Sequence, residues 1–248
     1  MKSLKNTLKL MPVMLLLVLA GCKKKDSMPT PDGENPDGNK GISASELVDY
    51  YIVAEHKTGG NKLLVVYFSQ EGNTVKANAH LQGSLRINEV KIGSSKFSID
   101  YNADGKSVYT FTVAKDADGK LKLNAYDFIY NGAGDQLSYA TLVKKTEAVA
   151  FANSSFKTGD ILFKFTGTDL QWDVRLRKSG EIQIPGGQPI VKYDTLPEVT
   201  LPYYGITNIA FKTNADEFMG VIVPGWKNIN TPVMLVERSD AVFVATRQ

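Results

Sequence analysis

The chain has only one cysteine and two histidines in 248 residues. One cysteine cannot form an internal disulfide, so the fold must be stabilised by its buried core alone. Neither His56 nor His80 has a second histidine or a cysteine at a metal-ligand spacing, so we expect no zinc site. His80 lies on the polar side of an alternating segment, which predicts a solvated side chain.

The sequence also lacks the motifs of common catalytic and cofactor sites. It contains no G-x-S-x-G nucleophile elbow and no glycine-rich phosphate loop between a strand and a helix. We therefore expect no cofactor. Two carboxylates across a cleft leave no sequence signature, so an enzyme is not excluded, although a non-enzymatic role is favoured.

One acidic stretch resembles part of a metal site. Residues 100–105 (DYNADG) match the first half of a calcium loop, but the position that needs a bidentate acid is Phe111. Asp-Gly between two alternating segments is also a hairpin signal. We therefore predict a turn here and no bound metal.

Residues 22–248 carry no excess of positive charge. The formal charge of +3 and the pI near 8.7 depend on three lysines in residues 1–21, which contain no acid. The rest of the chain carries 26 basic and 26 acidic side chains. Nucleic-acid binding needs clustered basic residues, so it is not expected.

The amino-terminal stretch carries the clearest signal. Three spaced lysines precede an apolar run at 10–18, about nine residues and too short to span a membrane, which needs about 20. The run is followed by Leu19-Ala20-Gly21-Cys22, which resembles the lipobox of bacterial lipoproteins. The three lysines are Lys2, Lys5 and Lys9.

The lipobox resemblance implies a defined maturation. It implies transfer of a diacylglycerol to the Cys22 thiol, removal of residues 1–21 as a signal peptide, and acylation of the new amino terminus. Lys23 after the cysteine suggests sorting to the outer membrane, on its periplasmic face or on the cell surface. The alternative is an ordinary secretory signal followed by an unrelated cysteine.

Residues 22–42 have the composition of a tether. Positions 26–41 (DSMPTPDGENPDGNKG) contain three prolines, three glycines and no aliphatic side chain larger than methionine. Such a segment cannot bury enough apolar surface to fold, so we predict disorder. About 20 flexible residues give a mean reach of roughly 25 Å.

The body of the chain has the pattern of an all-β protein. Ser43 and Glu46 form a capping-box pattern that predicts a short helical turn. Beyond it, apolar and polar residues alternate, turn signals recur every 10 to 14 residues, and no helical stripe appears. We predict an antiparallel meander, sandwich or barrel. The predicted strand segments include 50–55, 63–68, 75–81, 97–101, 109–113, 161–165, 172–176 and 182–184.

Two stretches of the body resemble one another at an offset of 93 residues. Residues 128–149 align without gaps on 221–242, with six identities. The alignment predicts two related β units, at 43–153 and 154–248. Convergence of similar hairpins is the alternative, and whether the halves form one domain or two stays open.

Residues 218–226 (FMGVIVPGW) resemble the V-I-x-G-W segment of immunophilin-type prolyl isomerases. Residues 163–168 (FKFTGT) are faintly similar to the first strand of that family. The resemblance implies that Trp226 forms the floor of an apolar proline-binding pocket. A core strand-turn-strand with a packed Trp226 is the alternative.

Aromatic residues beside prolines suggest a second kind of site. Tyr203 and Tyr204 follow Pro202, and Trp226 follows Pro224 and Gly225. Exposed rings in loops bind sugars or peptides, so we predict a glycan or peptide site at these three aromatics, with core packing as the alternative.

The sequence therefore predicts a lipid-anchored envelope protein that acts as a binding or structural module. The alternative is a degenerate prolyl isomerase or another envelope enzyme. The membrane, reached through the lipid, is the predicted partner. The ligand and the oligomeric state are not predicted.

Overall fold

The computed structural model describes residues 41–57, 63–81, 84–135, 137–148, 151, 153–159, 161–166, 169–174, 190–195, 210–213, 219–238 and 241–248. The predicted signal peptide, most of the tether, the predicted strand at 182–184, Tyr203 and Tyr204 lie outside these residues. Within them, no helix is long and apolar enough to cross a membrane.

Most of the described residues are in β strands and only two short 3₁₀ helices are present among them, which confirms the all-β prediction. The first nine strands are β1 (Tyr50–His56), β2 (Leu63–Glu71), β3 (Thr74–Leu81), β4 (Ser84–Glu89), β5 (Lys96–Asp100), β6 (Ser107–Lys115), β7 (Leu121–Tyr130), β8 (Ala133–Asp135) and β9 (Leu137–Lys144). The others are β10 (Ser154–Thr158), β11 (Ile161–Thr166), β12 (Asp169–Val174), β13 (Ile190–Thr195), β14 (Ala210–Thr213), β15 (Met219–Val223), β16 (Val233–Arg238) and β17 (Ala241–Arg247). Two 3₁₀ helices span Ala44–Asp49 and Lys145–Glu147.

The strands form three antiparallel layers. A five-stranded sheet, here the central sheet, has the order β4-β3-β2-β1-β9, and a four-stranded sheet, the small sheet, has the order β5-β6-β7-β8. The strands from β10 to β17 form a barrel that closes where Phe156 pairs opposite Arg247. The change from sheets to barrel falls between Lys144 and Ser154.

The strands of the predicted repeat pair differently in the two halves. β15 and β16 are hydrogen-bonded neighbours in the barrel, whereas β7 and β9 belong to different sheets. Shared topology therefore adds no support to the repeat. The repeat and the division into two domains stay predictions.

The inner strands β1 and β2 of the central sheet are buried on both faces. One face packs Ile52, Val66 and Phe68 against apolar side chains of the small sheet. The opposite face packs Val53 and Val65 against the outside of the barrel at β15 and β16. Each fully buried side chain of this size stabilises the fold by about 1.5–3 kcal/mol.

Phenylalanine dominates the interior of the barrel. The barrel core contains five buried phenylalanines with Ile222, Met234, Val236 and Ala245. The phenylalanines are Phe151, Phe156, Phe163, Phe165 and Phe211.

The predicted helical turn at the start of the body is present as the first 3₁₀ helix. The Ser43 amide donates to Glu46 Oε2 at 3.0 Å, and Lys115 Nζ of β6 lies 2.6 Å from Glu46 Oε1. Burial raises the pKa of the Glu46 carboxyl, but the hydrogen bonds from Lys115 and Ser43 outweigh it, so the net pKa is lowered. The carboxylate thus joins the start of the fold to the small sheet.

We expect Glu46→Gln to lower the free energy of unfolding at pH 7 by up to about 1 kcal/mol, because the two side chains of the ion pair are 37% and 36% exposed and solvent screens them. A carboxyl whose pKa is lower in the folded state stabilises the fold above its unfolded pKa, here 4.5, and this contribution is lost as pH falls through the folded pKa. Urea unfolding at pH 7 and about pH 2.5 should show a difference from wild type only at pH 7. Glu89→Gln is the control, because the Glu89–Lys91 pair is long at 3.9 Å and exposed. An equal loss for Glu46→Gln at both pH values would contradict the ion-pair explanation.

Candidate functional site

Trp226 lies in a tight turn between β15 and β16. The Trp226 amide donates to the Ile229 carbonyl at 2.9 Å, and the Ile229 amide donates back at 2.8 Å. The turn folds onto the central sheet, where the indole packs edge-on against Tyr139 with ring centres 4.7 Å apart. The side chain is only 1% exposed, so the prediction of an exposed ring at Trp226 is wrong. Its assignment as a ligand-binding residue stays a prediction.

The same burial bears on the resemblance to prolyl isomerases. A ring that forms the floor of a pocket must be reachable from solvent, whereas the Trp226 ring contacts core side chains of the central sheet and barrel. The described part of the chain also contains only 3₁₀ helices. The residues that the structure describes therefore form no proline pocket around Trp226.

An ion pair holds this turn on the central sheet. Glu55 Oε2 accepts hydrogen bonds from Lys227 Nζ at 2.7 Å and from Ser138 Oγ at 2.8 Å. Lys227 has a φ of +52°, a left-handed conformation that favours glycine. The contacts of the lysine ammonium and the packing of Trp226 offset the energetic cost of this backbone conformation. These side chains thus have a structural use.

A polar row crosses the barrel-facing side of the central sheet. His80 is 2% exposed, so the prediction of a solvated side chain is wrong, because the barrel covers the sheet face that the sequence pattern marks as polar. Its ring lies edge-on to Tyr67, and the Asn78 amide donates to the Tyr67 carbonyl at 3.2 Å and to Ser69 Oγ at 3.1 Å. Tyr51 stacks on Tyr67.

The two tyrosines of this row are held in the neutral state. Burial raises the pKa of the Tyr51 and Tyr67 hydroxyls far above the physiological range, and Glu147 near Tyr51 and Tyr51 near Tyr67 raise the two pKa values further. The Tyr51 hydroxyl donates to the Ile222 carbonyl at 2.8 Å and joins the sheet to the barrel. The row supports packing and offers no activated nucleophile among its tyrosines.

The stretch at 100–105 forms the predicted turn. The Gly105 amide donates to Asp100 Oδ2 at 2.7 Å, and the Lys106 amide donates to Asp104 Oδ1 at 2.9 Å. Gly105 has a φ of +70°, as such a turn requires. Both carboxylates therefore bind backbone amides. No group of three or more His, Cys, Asp or Glu side chains in the described ranges is placed to hold a metal.

An aromatic stack that was not among the predicted sites reaches the surface at one end of the small sheet. Tyr109 and Phe128 are stacked with ring centres 4.3 Å apart, and Tyr130 continues the stack 6.5 Å beyond Phe128. Tyr109 and Phe128 are buried, whereas Tyr130 is 53% exposed. The ring of Tyr130 is therefore the solvent-facing end of a stack that starts in the core.

Polar residues of two turns lie close to Tyr130 along the chain and across the β6–β7 pair. Ser107 lies directly opposite Tyr130 in the β6–β7 pair, and the Asn102 amide donates to Ser107 Oγ at 3.0 Å. The Asn131 amide donates to the Lys106 carbonyl at 2.7 Å, which ties the β7–β8 turn to the 100–106 loop. We call Tyr130, with Asn102, Ser107 and Lys106, the Tyr130 shelf. It is the candidate ligand-binding surface of the described residues.

No protein-family model matches this chain, and no curated protein and no solved structure is similar to it. The candidate site therefore depends on the geometry of this chain alone.

Proposed function

We propose that this protein is a lipid-anchored component of the bacterial cell envelope, and that its β-rich body acts as a binding or structural module rather than as an enzyme. The observation that carries the proposal is Leu19-Ala20-Gly21-Cys22, placed directly after a basic segment and a short apolar run. One acyl chain holds a protein only marginally, whereas the two or three chains of a lipidated cysteine give stable anchoring.

Two features of the body support a binding or structural role. Its three layers present an aromatic surface at Tyr130, on a rigid β scaffold of the kind on which binding residues gather. The carboxylates of Asp100, Asp104 and Glu55 serve turns and an ion pair. The predicted glycan or peptide site at Trp226, Tyr203 and Tyr204 belongs to the same proposal, although the first of these rings is buried.

We expect Cys22→Ser to abolish incorporation of an alkyne-labelled fatty acid and to move the protein out of the membrane fraction. The thiol is the acceptor of the lipid, and the tether offers no other sulfhydryl because Cys22 is the only cysteine. The measurement is gel fluorescence of the labelled protein with immunoblots of fractionated cells.

Ser27→Ala is the matched control, because it changes a small polar side chain in the same tether and should leave labelling and location unchanged. Density-gradient separation of the wild-type membranes should place the protein with the outer membrane. Labelled, membrane-bound Cys22→Ser protein would refute lipid anchoring at this residue.

A further inference from the structure

The Tyr130 shelf has the rigidity that a stacking surface needs. The Phe128 ring beneath it is fixed by His56, which lies edge-on at 4.8 Å, and by the stacked Tyr109 ring. The Tyr109 hydroxyl and His56 Nε2 are hydrogen-bonded at 2.9 Å in the core. Tyr130 neighbours the fixed Phe128 ring, which limits the space open to its own side chain and so lowers the entropic cost of ordering it when a ligand stacks on it.

The shelf is one ring wide. Tyr130 is 53% exposed, and its ring lies nearly parallel to the buried Phe128 ring, with centres 6.5 Å apart. The neighbouring exposed apolar side chain, Ile129, is on the opposite face of the small sheet, because successive strand residues alternate. A ligand at the shelf therefore meets a single flat apolar surface.

The turns at 100–106 and 131–132, which lie beside Tyr130, form the rim of the shelf. This rim carries balanced charge and several hydrogen-bonding groups. Asn102, Asp104, Lys106 and Asn131 are all exposed. They supply amide, carboxylate and ammonium groups, which donate to and accept from hydroxyls. One lysine beside one aspartate gives no excess positive charge, which disfavours a nucleic-acid strand that would stack on the same ring.

We propose that the Tyr130 shelf binds carbohydrate, with the apolar face of a pyranose ring stacked on Tyr130 and its hydroxyls bonded to the rim. A sugar ring has the matching construction, with C–H groups on one face and hydroxyls around its edge. A peptide would instead need a pocket for an anchoring side chain, which a flat shelf does not provide. The inference deepens the proposed binding role, and lipid anchoring is independent of it.

The test is isothermal titration calorimetry of the full chain, purified in detergent, against hexasaccharides of glucose, xylose, mannose and N-acetylglucosamine at millimolar concentration. We expect at least one of them to bind the wild type. Tyr130→Ala is expected to weaken that binding about tenfold or more, because it removes the stacking surface. Tyr130→Phe keeps the ring and should stay within about threefold of wild type.

Ile129→Ala is the matched control, because it removes a neighbouring exposed side chain from the other face of the sheet and should bind as wild type does. Circular dichroism of each variant confirms that it is folded. The proposal is overturned if no hexasaccharide binds the wild type, or if Tyr130→Ala binds equally well. Loss of binding in Tyr203→Ala or Tyr204→Ala but not in Tyr130→Ala would overturn the shelf and leave the proposed binding role intact.

Discussion

Replacing Trp226 by alanine is expected to lower the free energy of unfolding by about 3–5 kcal/mol. The indole is 1% exposed and packs against Tyr139 at the contact between the central sheet and the barrel. Its removal leaves a cavity that the paired strands on both sides cannot easily close. The loss is measured as a lower urea midpoint with an unchanged slope, followed by far-ultraviolet circular dichroism because the variant lacks one of the two tryptophans of the chain.

Trp226→Phe distinguishes the contribution of the aromatic ring from that of the indole N–H group. Trp226 Nε1 is buried and has no hydrogen-bond partner among the described residues, so phenylalanine removes a buried donor and keeps most of the packing. We expect a cost of less than about 1.5 kcal/mol for this variant. Wild-type stability in Trp226→Ala would show that the ring is not part of the core, as the exposed-ring prediction required.

Gly220→Ala is expected to destabilise the barrel by about 1–3 kcal/mol. Gly220 of β15 lies opposite Phe211 of β14, and a methyl group added there would overlap Phe211 Cε1 and lie 2.7 Å from Phe211 Cζ. The Phe211 ring cannot move away freely, because Phe151 and Phe165 lie 4.9 Å and 5.1 Å from it in the barrel core. Thermal unfolding followed by circular dichroism measures the effect.

Gly134→Ala is the matched control for this change. Gly134 also lies in a strand, has no positive φ, and has no atom within 4 Å of the added methyl, so we expect no loss of stability. A double variant, Phe211→Leu with Gly220→Ala, should cost less than the sum of the two single changes, because the smaller side chain makes room. Strict additivity would contradict the proposed overlap.

The sequence pattern predicted β5 and β6 of the small sheet, where one face is buried and the other exposed, but not β7 and β8. Tyr109, Phe111 and Val113 are buried, while Thr110 and Thr112 between them are partly exposed, as strict alternation predicts. The turn at 100–105 also follows from local chemistry, since its Asp-Gly pair favours a left-handed glycine. Both predictions depend only on neighbours in the sequence.

The central sheet shows where such local reasoning fails. His80 alternates with alanine and leucine, yet it is buried because the barrel covers the face on which it lies. Which surface covers a strand depends on residues about 140 positions away, and no local pattern contains that information. The continuous apolar run 63–68 was the available signal, because an unbroken run of this length is typical of a strand buried on both faces.

Some features of the candidate sites could also be predicted from the sequence, and others could not. Pro224 and Gly225 indicated a turn, and a turn is present, but a tight turn on a neighbouring sheet buries its aromatic residue. Tyr130 could have been found from the sequence, because Asn131-Gly132 predicts a hairpin turn and Phe128 and Tyr130 then share one face at the strand end. The pattern could not predict that the Tyr130 ring continues a stack of Phe128 and Tyr109 that extends into the core.

The most direct test of lipid anchoring in the envelope is the intact mass of the protein purified from bacterial membranes. We predict that the chain begins at Cys22, without residues 1–21, and that tryptic digestion gives an amino-terminal peptide heavier by a diacylglycerol and an amide-linked acyl chain. An unmodified Cys22, or a chain that still begins at Met1, would contradict the account.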